Sequence, residues 1–305
     1  MSDRGDQSAT RLSVSSDSVH QRRRRVAAVG VLALAALAVW GIGSMLGGSS
    51  GQPTTTGFAA RLTKIGGTGP GSLLDSRKRA EDQAVDRTLA QTPYIVKGGG
   101  ESKKVALTFD DGPSEFTPKY LEILKREAVP ATFFTVGGMY STFAANATAA
   151  HSSGYSIANH TWSHPRMPGL SVGDQASQID RVTDEIKGRG LPSPKLYRPP
   201  YGAFDTNSTA LTAKRGMLLV LWDVDTLDWE RPGADAIVYN ALSGARNGSI
   251  ILMHDGGGDR SQTLAALPRI IKGLKQKGFE LVTVEQMLVE DPPRPGETPP
   301  APSEA

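Results

Sequence analysis

The stretch Val105-Ala-Leu-Thr-Phe109, followed directly by Asp110-Asp111-Gly112-Pro113, decides the fold class of this chain. The run of apolar and β-branched residues predicts a buried strand, and Asp, Gly and Pro are the usual residues of the turn that ends one. Two adjacent carboxylates at the end of a buried strand are also a candidate site. An ordinary Asp-Gly-Pro turn explains them equally well when they are read alone.

The alternation of strand and helix continues on both sides of this stretch, from residue 94 to residue 290. Repeated alternation predicts parallel strands covered by helices, here an α/β fold built as an irregular (β/α) barrel of seven to eight units. In such a barrel the catalytic residues lie at the face where the strands end. The predicted strands are 105–109, 131–136, 155–158, 195–198, 217–223, 249–253 and 281–284, and the predicted helices are 118–128, 142–152, 172–188 with Ser171 as its N-cap, 207–215, 234–245 and 264–277.

The N-terminal region has the pattern of a membrane anchor. Residues 1–25 carry six arginines against three aspartates, which accounts for the whole net charge of +3, so the charge does not indicate a nucleic-acid partner. Residues 26–46 contain no charged residue and as a helix would span about 30 Å, the thickness of a bilayer core. We therefore predict a cytoplasmic basic tail at 1–25 and a single transmembrane signal-anchor at 26–46, with the remainder outside the cell membrane. A cleaved signal peptide is the alternative.

Two further segments flank the predicted catalytic domain, residues 94–290. Residues 47–93 are predicted to be a linker or stalk with a polar helix at about 73–90, which either packs on the barrel or spaces it from the membrane. Residues 291–305 are rich in proline and are predicted to be a disordered tail.

A histidine pair is the next candidate site. The chain has no cysteine, so any metal ion must be held by His, Asp or Glu. Two of its five histidines, His160 and His164, follow the strand at 155–158, and on one helical turn their spacing would point both imidazoles the same way. A metalloprotease motif H-E-x-x-H would need Glu where Thr161 stands, so the general base must come from elsewhere, with Asp110 as the candidate. Two surface histidines near a turn are the plain alternative.

A third cluster follows the strand at 195–198. Arg198 is able to hold a carboxylate through two hydrogen bonds, and a backbone N–H after Pro200 is able to face an oxyanion. A rigid surface turn explains the same residues.

Two more clusters end the strands at 217–223 and 249–253. Asp228 and Trp229 suit a sugar site, because acids orient catalytic side chains and tryptophan packs on sugar rings, although core tryptophan beside solvated acids is the plain reading. His254 is placed to act as a general acid. Each cluster alone is weak, but five of them at successive strand ends of one barrel face predict an active site.

Taken in order, these motifs resemble those of the polysaccharide deacetylase family, the NodB-homology group or carbohydrate esterase family 4. The resemblance covers about residues 101–290, and no catalytic position departs from the family pattern. The motifs are Thr108-Phe-Asp-Asp-Gly112, His160-Thr-Trp-Ser-His164, Arg198-Pro-Pro-Tyr201, Asp225-Thr-Leu-Asp-Trp229 and Leu252-Met-His254.

The resemblance implies a role for each matching residue and a metal cofactor, Zn2+ or alternatively Co2+ or another divalent ion. The implied metal ligands are Asp111, His160 and His164. The implied catalytic residues are Asp110 as general base, His254 as general acid, Arg198 orienting the base and Asp228 tuning the histidine. The implied substrate-binding residues are Tyr201, whose backbone N–H would be an oxyanion donor, Trp229 and Leu252.

The implied function is metal-dependent removal of N-acetyl groups from an extracytoplasmic polysaccharide, with peptidoglycan N-acetylglucosamine as the expected substrate. Chitin oligomers and O-acetylated xylan are alternatives within the family. A glycan-binding barrel without catalysis is a different reading, but the retained base, acid and ligands speak against it. A two-metal phosphodiesterase would need a second cluster of ligands, and the sequence has none. No nucleic-acid or protein partner is implied.

Overall fold

The computed structural model describes residues 70–294. The predicted basic tail at 1–25, the predicted membrane segment at 26–46 and the greater part of the proline-rich tail lie outside the described residues. Between residues 70 and 294, no helix is long and apolar enough to cross a membrane.

Within this range, strands and helices alternate as the sequence predicts. The helices are α1 (Pro70–Leu89), α2 (Thr117–Arg126), α3 (Tyr140–Ser152), α4 (Val172–Gly188), α5 (Thr206–Lys214), α6 (Ala234–Gly244), α7 (Ser261–Gln276) and α8 (Val284–Glu290). The strands are β1 (Tyr94–Ile95), β2 (Lys104–Asp110), β3 (Thr132–Thr135), β4 (Ser156–Asn159), β5 (Leu196–Tyr197), β6 (Leu218–Val220), β7 (Val224–Asp225), β8 (Ser249–His254) and β9 (Glu280–Val282). Short 3-10 turns follow β3, β5 and β7, at Gly137–Met139, Pro200–Gly202 and Asp228–Glu230.

All nine strands described join one parallel sheet, in the order β1-β6-β5-β4-β3-β2-β8-β7, with β9 also paired to β2. Lys97, just after edge strand β1, forms a bridge to Ser249 at the start of β8. This contact between distant parts of the sheet shows that the sheet is curled. The predicted parallel α/β architecture is therefore confirmed. The strand count exceeds the predicted seven to eight because β1 and β7 have two residues each, too few to show a periodicity.

Strand β2 lies at the centre of this sheet and has two different faces. Val105, Leu107 and Phe109 pack in the apolar cluster formed with the surrounding helices. Ala106 belongs to a second cluster inside the curl of the sheet, and alternation places Thr108 and Asp110 on the same inner face. The inner face is thus apolar at the start of the strand and polar at its carboxyl end.

Helix α1 packs against the α/β unit, which decides between the two alternatives left open for this segment. Ala84 and Val85 are buried, in one cluster with Val284 and Met287 of α8. Helix α8 was absent from the predicted elements. It begins after Thr283, whose side chain accepts a hydrogen bond from Gln286 N–H, and its seven residues are too few for a clear helical period.

We predict that Val85→Ala lowers the free energy of unfolding by about 2 kcal/mol, because it removes two buried methyl groups and leaves a cavity between α1 and α8. Urea unfolding followed by circular dichroism measures the change. Gln83→Ala, on the exposed side of the same helix, is the control and should change stability little. Equal stability of wild type and Val85→Ala would mean that α1 does not pack as described.

Candidate active site

Polar side chains from distant parts of the chain meet at the carboxyl ends of the parallel strands. Asp110 is the last residue of β2, His160 follows β4, Arg198 follows β5 and His254 ends β8. Asp228 lies in the turn after β7. Because these strands are parallel, their ends share one edge of the sheet, and the structure gathers all five residues there.

The three predicted metal ligands form one cluster. A carboxylate oxygen of Asp111 and one ring nitrogen each of His160 and His164 lie within 4.8 Å of one another. Asp111 Oδ1 is 3.5 Å from His160 Nε2 and 3.2 Å from His164 Nε2. His160 Nδ1 lies 2.7 Å from the carbonyl oxygen of Arg198, so this nitrogen carries the proton and the Nε2 lone pair faces the cluster.

The charge states of the cluster suit a cation. Burial acts to raise the pKa of Asp111, but contact with His160 and the charges of His254 and His164 outweigh it and hold this pKa well below its usual range. Burial, with His160 adding to it, lowers the pKa of His164. An ionised carboxylate and a neutral imidazole are the forms that bind metal ions, and the set of one oxygen and two nitrogens fits a divalent cation such as zinc.

The two histidines lie in a loop and not on a helical turn, so their spacing of four does not by itself bring the rings together. Thr161 and His164 have left-handed backbones, with φ of 68° and 57°. Asn159 Oδ1 accepts a hydrogen bond from Thr161 N–H at 2.9 Å, and Thr161 Oγ1 accepts one from His164 N–H at 3.1 Å. These side-chain bonds turn the loop back and bring His164 beside His160.

A fully buried guanidinium holds Asp110. Arg198 Nη1 donates to Asp110 Oδ1 at 2.7 Å and to Thr108 Oγ1 at 2.9 Å. Its other nitrogens donate to the carbonyl oxygens of Val220 and Leu221 at 3.1 and 3.0 Å. The prediction that Arg198 holds a carboxylate through two hydrogen bonds is wrong, because its remaining donors bind the backbone carbonyls of Val220 and Leu221. The other oxygen of this carboxylate, Asp110 Oδ2, therefore faces the metal-ligand cluster and lies 3.6 Å from His160 Nε2.

His254 is paired with a second buried acid. Asp228 Oδ1 lies 2.7 Å from His254 Nδ1, and Asp228 Oδ2 accepts from His254 N–H at 2.9 Å and from Thr263 Oγ1 at 2.8 Å. Burial acts to lower the pKa of His254, but the hydrogen bond and charge of Asp228, with the charges of Asp110 and Asp111, raise it to about 9. The imidazole is therefore protonated at neutral pH, with Nε2–H directed away from Asp228.

The three predicted substrate contacts differ in exposure. Tyr201 is 66% exposed and Trp229 51% exposed, whereas Leu252 is 3% exposed. The Tyr201 ring packs edge-on against His164, with 4.7 Å between centroids. Leu252 lies on the inner face of β8 together with Ile250 and His254. The structure thus places exposed Tyr201 against a predicted metal ligand and exposed Trp229 next to Asp228, the partner of His254.

Several contributing residues were not predicted from the sequence. Arg260 directly precedes α7 and Thr263 lies in its first turn, and they contact Asp228 from 32 and 35 positions away in the sequence. Arg260 donates to the carbonyl oxygens of Gly256 and Gly257 and, at 3.4 Å, of Asp228. Asp255 is buried beside Asp111, and burial together with the charges of Asp111 and Asp110 raises its pKa to about 7. The glycines after residue 255 were the one available signal that the chain runs close to another backbone here.

Comparison with known proteins finds one family model and several similar proteins. The family model described as polysaccharide deacetylase matches residues 97–220. A peptidoglycan-N-acetylglucosamine deacetylase of Bacillus cereus is 38% identical over 64% of this chain and 72% of its own length. A chitooligosaccharide deacetylase of Bradyrhizobium sp. is 37% identical over 61% of this chain and 91% of its own.

A solved structure is similar over nearly its whole length. It is a peptidoglycan N-acetylglucosamine deacetylase crystallised with 4-naphthalen-1-yl-N-oxidanyl-benzamide, 36% identical, with a TM-score of 0.64 over 68% of this chain and 97% of that one. The fold, the site and these likenesses together define an enzyme that deacetylates polysaccharides. The chain belongs to the polysaccharide deacetylase family, the NodB-homology group of carbohydrate esterase family 4.

We predict that Arg198→Met lowers the free energy of unfolding by about 3–5 kcal/mol, because it leaves Asp110 buried without its partner. The cost should be smaller in an Asp110→Asn background, where no charge is stranded. Urea unfolding of the metal-free single and double variants measures this coupling. Arg189→Met removes a partly exposed ion pair to Glu185 and should cost less than about 1 kcal/mol. Equal cost of Arg198→Met in both backgrounds would contradict the pairing.

We predict that Asp228→Asn lowers the pKa of His254 from about 9, because it removes the hydrogen bond and the charge that raise it. The His254 ring proton, followed by NMR against pH in the metal-free protein, measures the midpoint. Thr263→Val keeps the charge of Asp228 and should leave the midpoint near that of wild type.

The same pKa shift makes a prediction about stability. Because the folded-state pKa lies above the ordinary value of 6.5, the stabilisation from charged His254 is complete below pH 6.5 and is lost as the pH rises through about 9. Asp228→Asn should remove this alkaline loss of stability from thermal unfolding curves. An unchanged alkaline loss would show that another group is responsible.

Proposed function

We propose that this enzyme hydrolyses the N-acetyl groups of an extracytoplasmic polysaccharide, with peptidoglycan N-acetylglucosamine as substrate and Zn2+ as cofactor. The observation that carries the proposal is the convergence at one edge of the sheet of three metal ligands, an acid held by a buried arginine and a histidine held by a buried acid. The similar protein of Bacillus cereus and the similar solved structure both carry the name of a peptidoglycan N-acetylglucosamine deacetylase.

Each catalytic residue is assigned a role that follows from its partners. A divalent cation held by Asp111, His160 and His164 would polarise the acetyl carbonyl and lower the pKa of water at the site. Asp110 takes the proton from water on Oδ2, because Arg198 occupies Oδ1. The hydroxide so formed attacks the acetyl carbon and gives a tetrahedral oxyanion, and the amide C–N bond breaks when this oxyanion collapses and its nitrogen is protonated.

The departing amine receives its proton from His254. Asp228 binds Nδ1, so the Nε2–H group faces the substrate, and the raised pKa keeps it charged at neutral pH. The backbone N–H of Tyr201 is the proposed oxyanion donor. The exposed faces of Tyr201 and Trp229, with Leu252 beneath, are the proposed contacts to the sugar and its acetyl methyl. Water and the amide are consumed, and acetate and a free amino sugar are released.

The proposed location rests on the sequence outside the described range. The apolar run 26–46, preceded by four arginines at 22–25, supports a single-pass anchor with the enzyme outside the cell membrane. An enzyme anchored there would face the polysaccharide of the cell wall, and this is why peptidoglycan is preferred over chitin oligomers.

Acetate release by the full-length chain tests the proposal, with purified peptidoglycan, N-acetylated chitin oligomers and O-acetylated xylan as substrates. We expect release from peptidoglycan that is abolished by a chelator and restored by Zn2+. Asp110→Asn should reduce it about 10²–10⁴-fold while the protein still binds Zn2+, because the base is lost and the ligands remain.

Asp235→Asn is the matched control, since the Asp235 side chain is 91% exposed and pairs with Arg269 at the surface. Faster release from chitin oligomers than from peptidoglycan would replace the substrate and keep the mechanism. No release from any of the three polymers by a folded, zinc-loaded protein would overturn the proposal.

A further inference from the structure

One buried residue outside the assigned machinery, Asp255, connects to both sides of the loop that carries Asp111. Its side chain is 1% exposed. Before Asp111, the Asp255 N–H donates to the carbonyl oxygen of Asp110 at 3.0 Å. After Asp111, the Ser114 hydroxyl donates to the carbonyl oxygen of Asp255.

The Asp255 carboxyl group supports the same loop from below. Its Oδ2 accepts from Thr117 Oγ1 at 2.5 Å, and Thr117 Oγ1 in turn accepts from Ser114 N–H at 2.8 Å. The backbone of Gly112 lies directly on the carboxyl group. A Cβ at Gly112 would stand 2.4 Å from Asp255 Oδ2 and 2.5 Å from Oδ1, so no side chain fits between them.

The loop needs such support because of the backbone of Asp111. Its φ is 72°, a left-handed conformation that costs about 1–3 kcal/mol for a residue with a side chain and persists only where the surroundings impose it. Asp255 contacts the residue before Asp111, the residue after it and the start of α2. The backbone of Asp255 thus binds the residue before Asp111, and its side chain packs against the residue after it and binds Thr117.

We infer that Asp255 is a positioning residue for Asp111, holding the metal-binding carboxylate in place by shape and by its hydrogen bond to Thr117. This inference rests on the proposed metal site. It assigns no proton transfer and no direct metal contact to Asp255. Residues that orient a ligand in this way typically change metal affinity by about 10–100-fold when they are lost.

The test measures Zn2+ and Co2+ affinity of the purified full-length chain by competition with a chelator, the visible absorption of the Co2+ form, and the melting temperature without metal. Asp255→Ala should weaken metal binding about 10–100-fold and change the Co2+ spectrum. Asp255→Asn keeps the shape and an acceptor for Thr117 and should bind metal close to wild type. Thr117→Val should weaken binding in the same direction as Asp255→Ala, and keeps the test informative should Asp255→Ala fail to fold.

The matched control is Asp291→Ala. Asp291 is equally buried, and its carboxylate accepts from the N–H groups of Gly100, Glu101 and Ser102, away from the strand ends. It should lower the melting temperature without changing metal affinity or the Co2+ spectrum.

Three outcomes would overturn the inference. They are wild-type affinity and spectrum in both Asp255→Ala and Thr117→Val, an equal loss of affinity in Asp291→Ala, and a loss in Asp255→Asn as large as in Asp255→Ala, which would indicate a role for charge instead of position. Each leaves the proposed function standing if the wild type binds metal and releases acetate. A wild type that binds neither metal would overturn the proposed metal site and the inference with it.

Discussion

The site depends on one guanidinium group, that of Arg198, which has no exposed surface at the centre of the curled sheet. It donates to Thr108 and Asp110 of β2 and to backbone carbonyls at the end of β6, and it lies 4.1 Å from the ring of Phe134 on β3. The backbone carbonyl oxygen of Arg198 fixes the ring of His160. A buried charge is tolerated only when its donors are satisfied. Arg198 therefore fixes the relative positions of strands that lie far apart in the sequence.

Two adjacent carboxylates acquire different properties from this arrangement. Asp110 lies on the inner face of β2 and gives one oxygen to Arg198, whereas Asp111 leaves the strand direction and faces the histidines. Asp228 likewise uses its two oxygens separately. One lies beside the ring nitrogen of His254, and the other accepts from the His254 backbone N–H. Separate partners allow neighbouring groups of one chemical type to serve as ligand, base and support for the acid.

Left-handed backbones concentrate at this edge of the sheet. Asp111, Thr161, His164, Tyr201 and Leu227 all have φ between 55° and 72°. Each such residue costs about 1–3 kcal/mol, which packing elsewhere must offset. The stabilisation comes from the apolar clusters on both faces of β2, one of which includes buried residues of α1 and α8. Strained loops on a rigid parallel sheet point side chains in directions that regular strands and helices do not allow.

The sequence alone determined the parallel α/β class, the bounds of α4 with its Ser171 cap and the family motifs, because these depend on neighbours a few residues apart. It also placed Asp110 at the end of a buried strand. Only the tertiary structure decided that the histidines meet through a loop, that Arg198 holds one oxygen of Asp110, that α1 packs on the sheet, and that Thr263, Arg260 and Asp255 support the site. These contacts join distant residues, Arg198 and Asp110 being 88 positions apart, and no local pattern encodes which donors the backbone of another strand will take. The free energy that selects them comes from burial, which exists only once the sheet has formed.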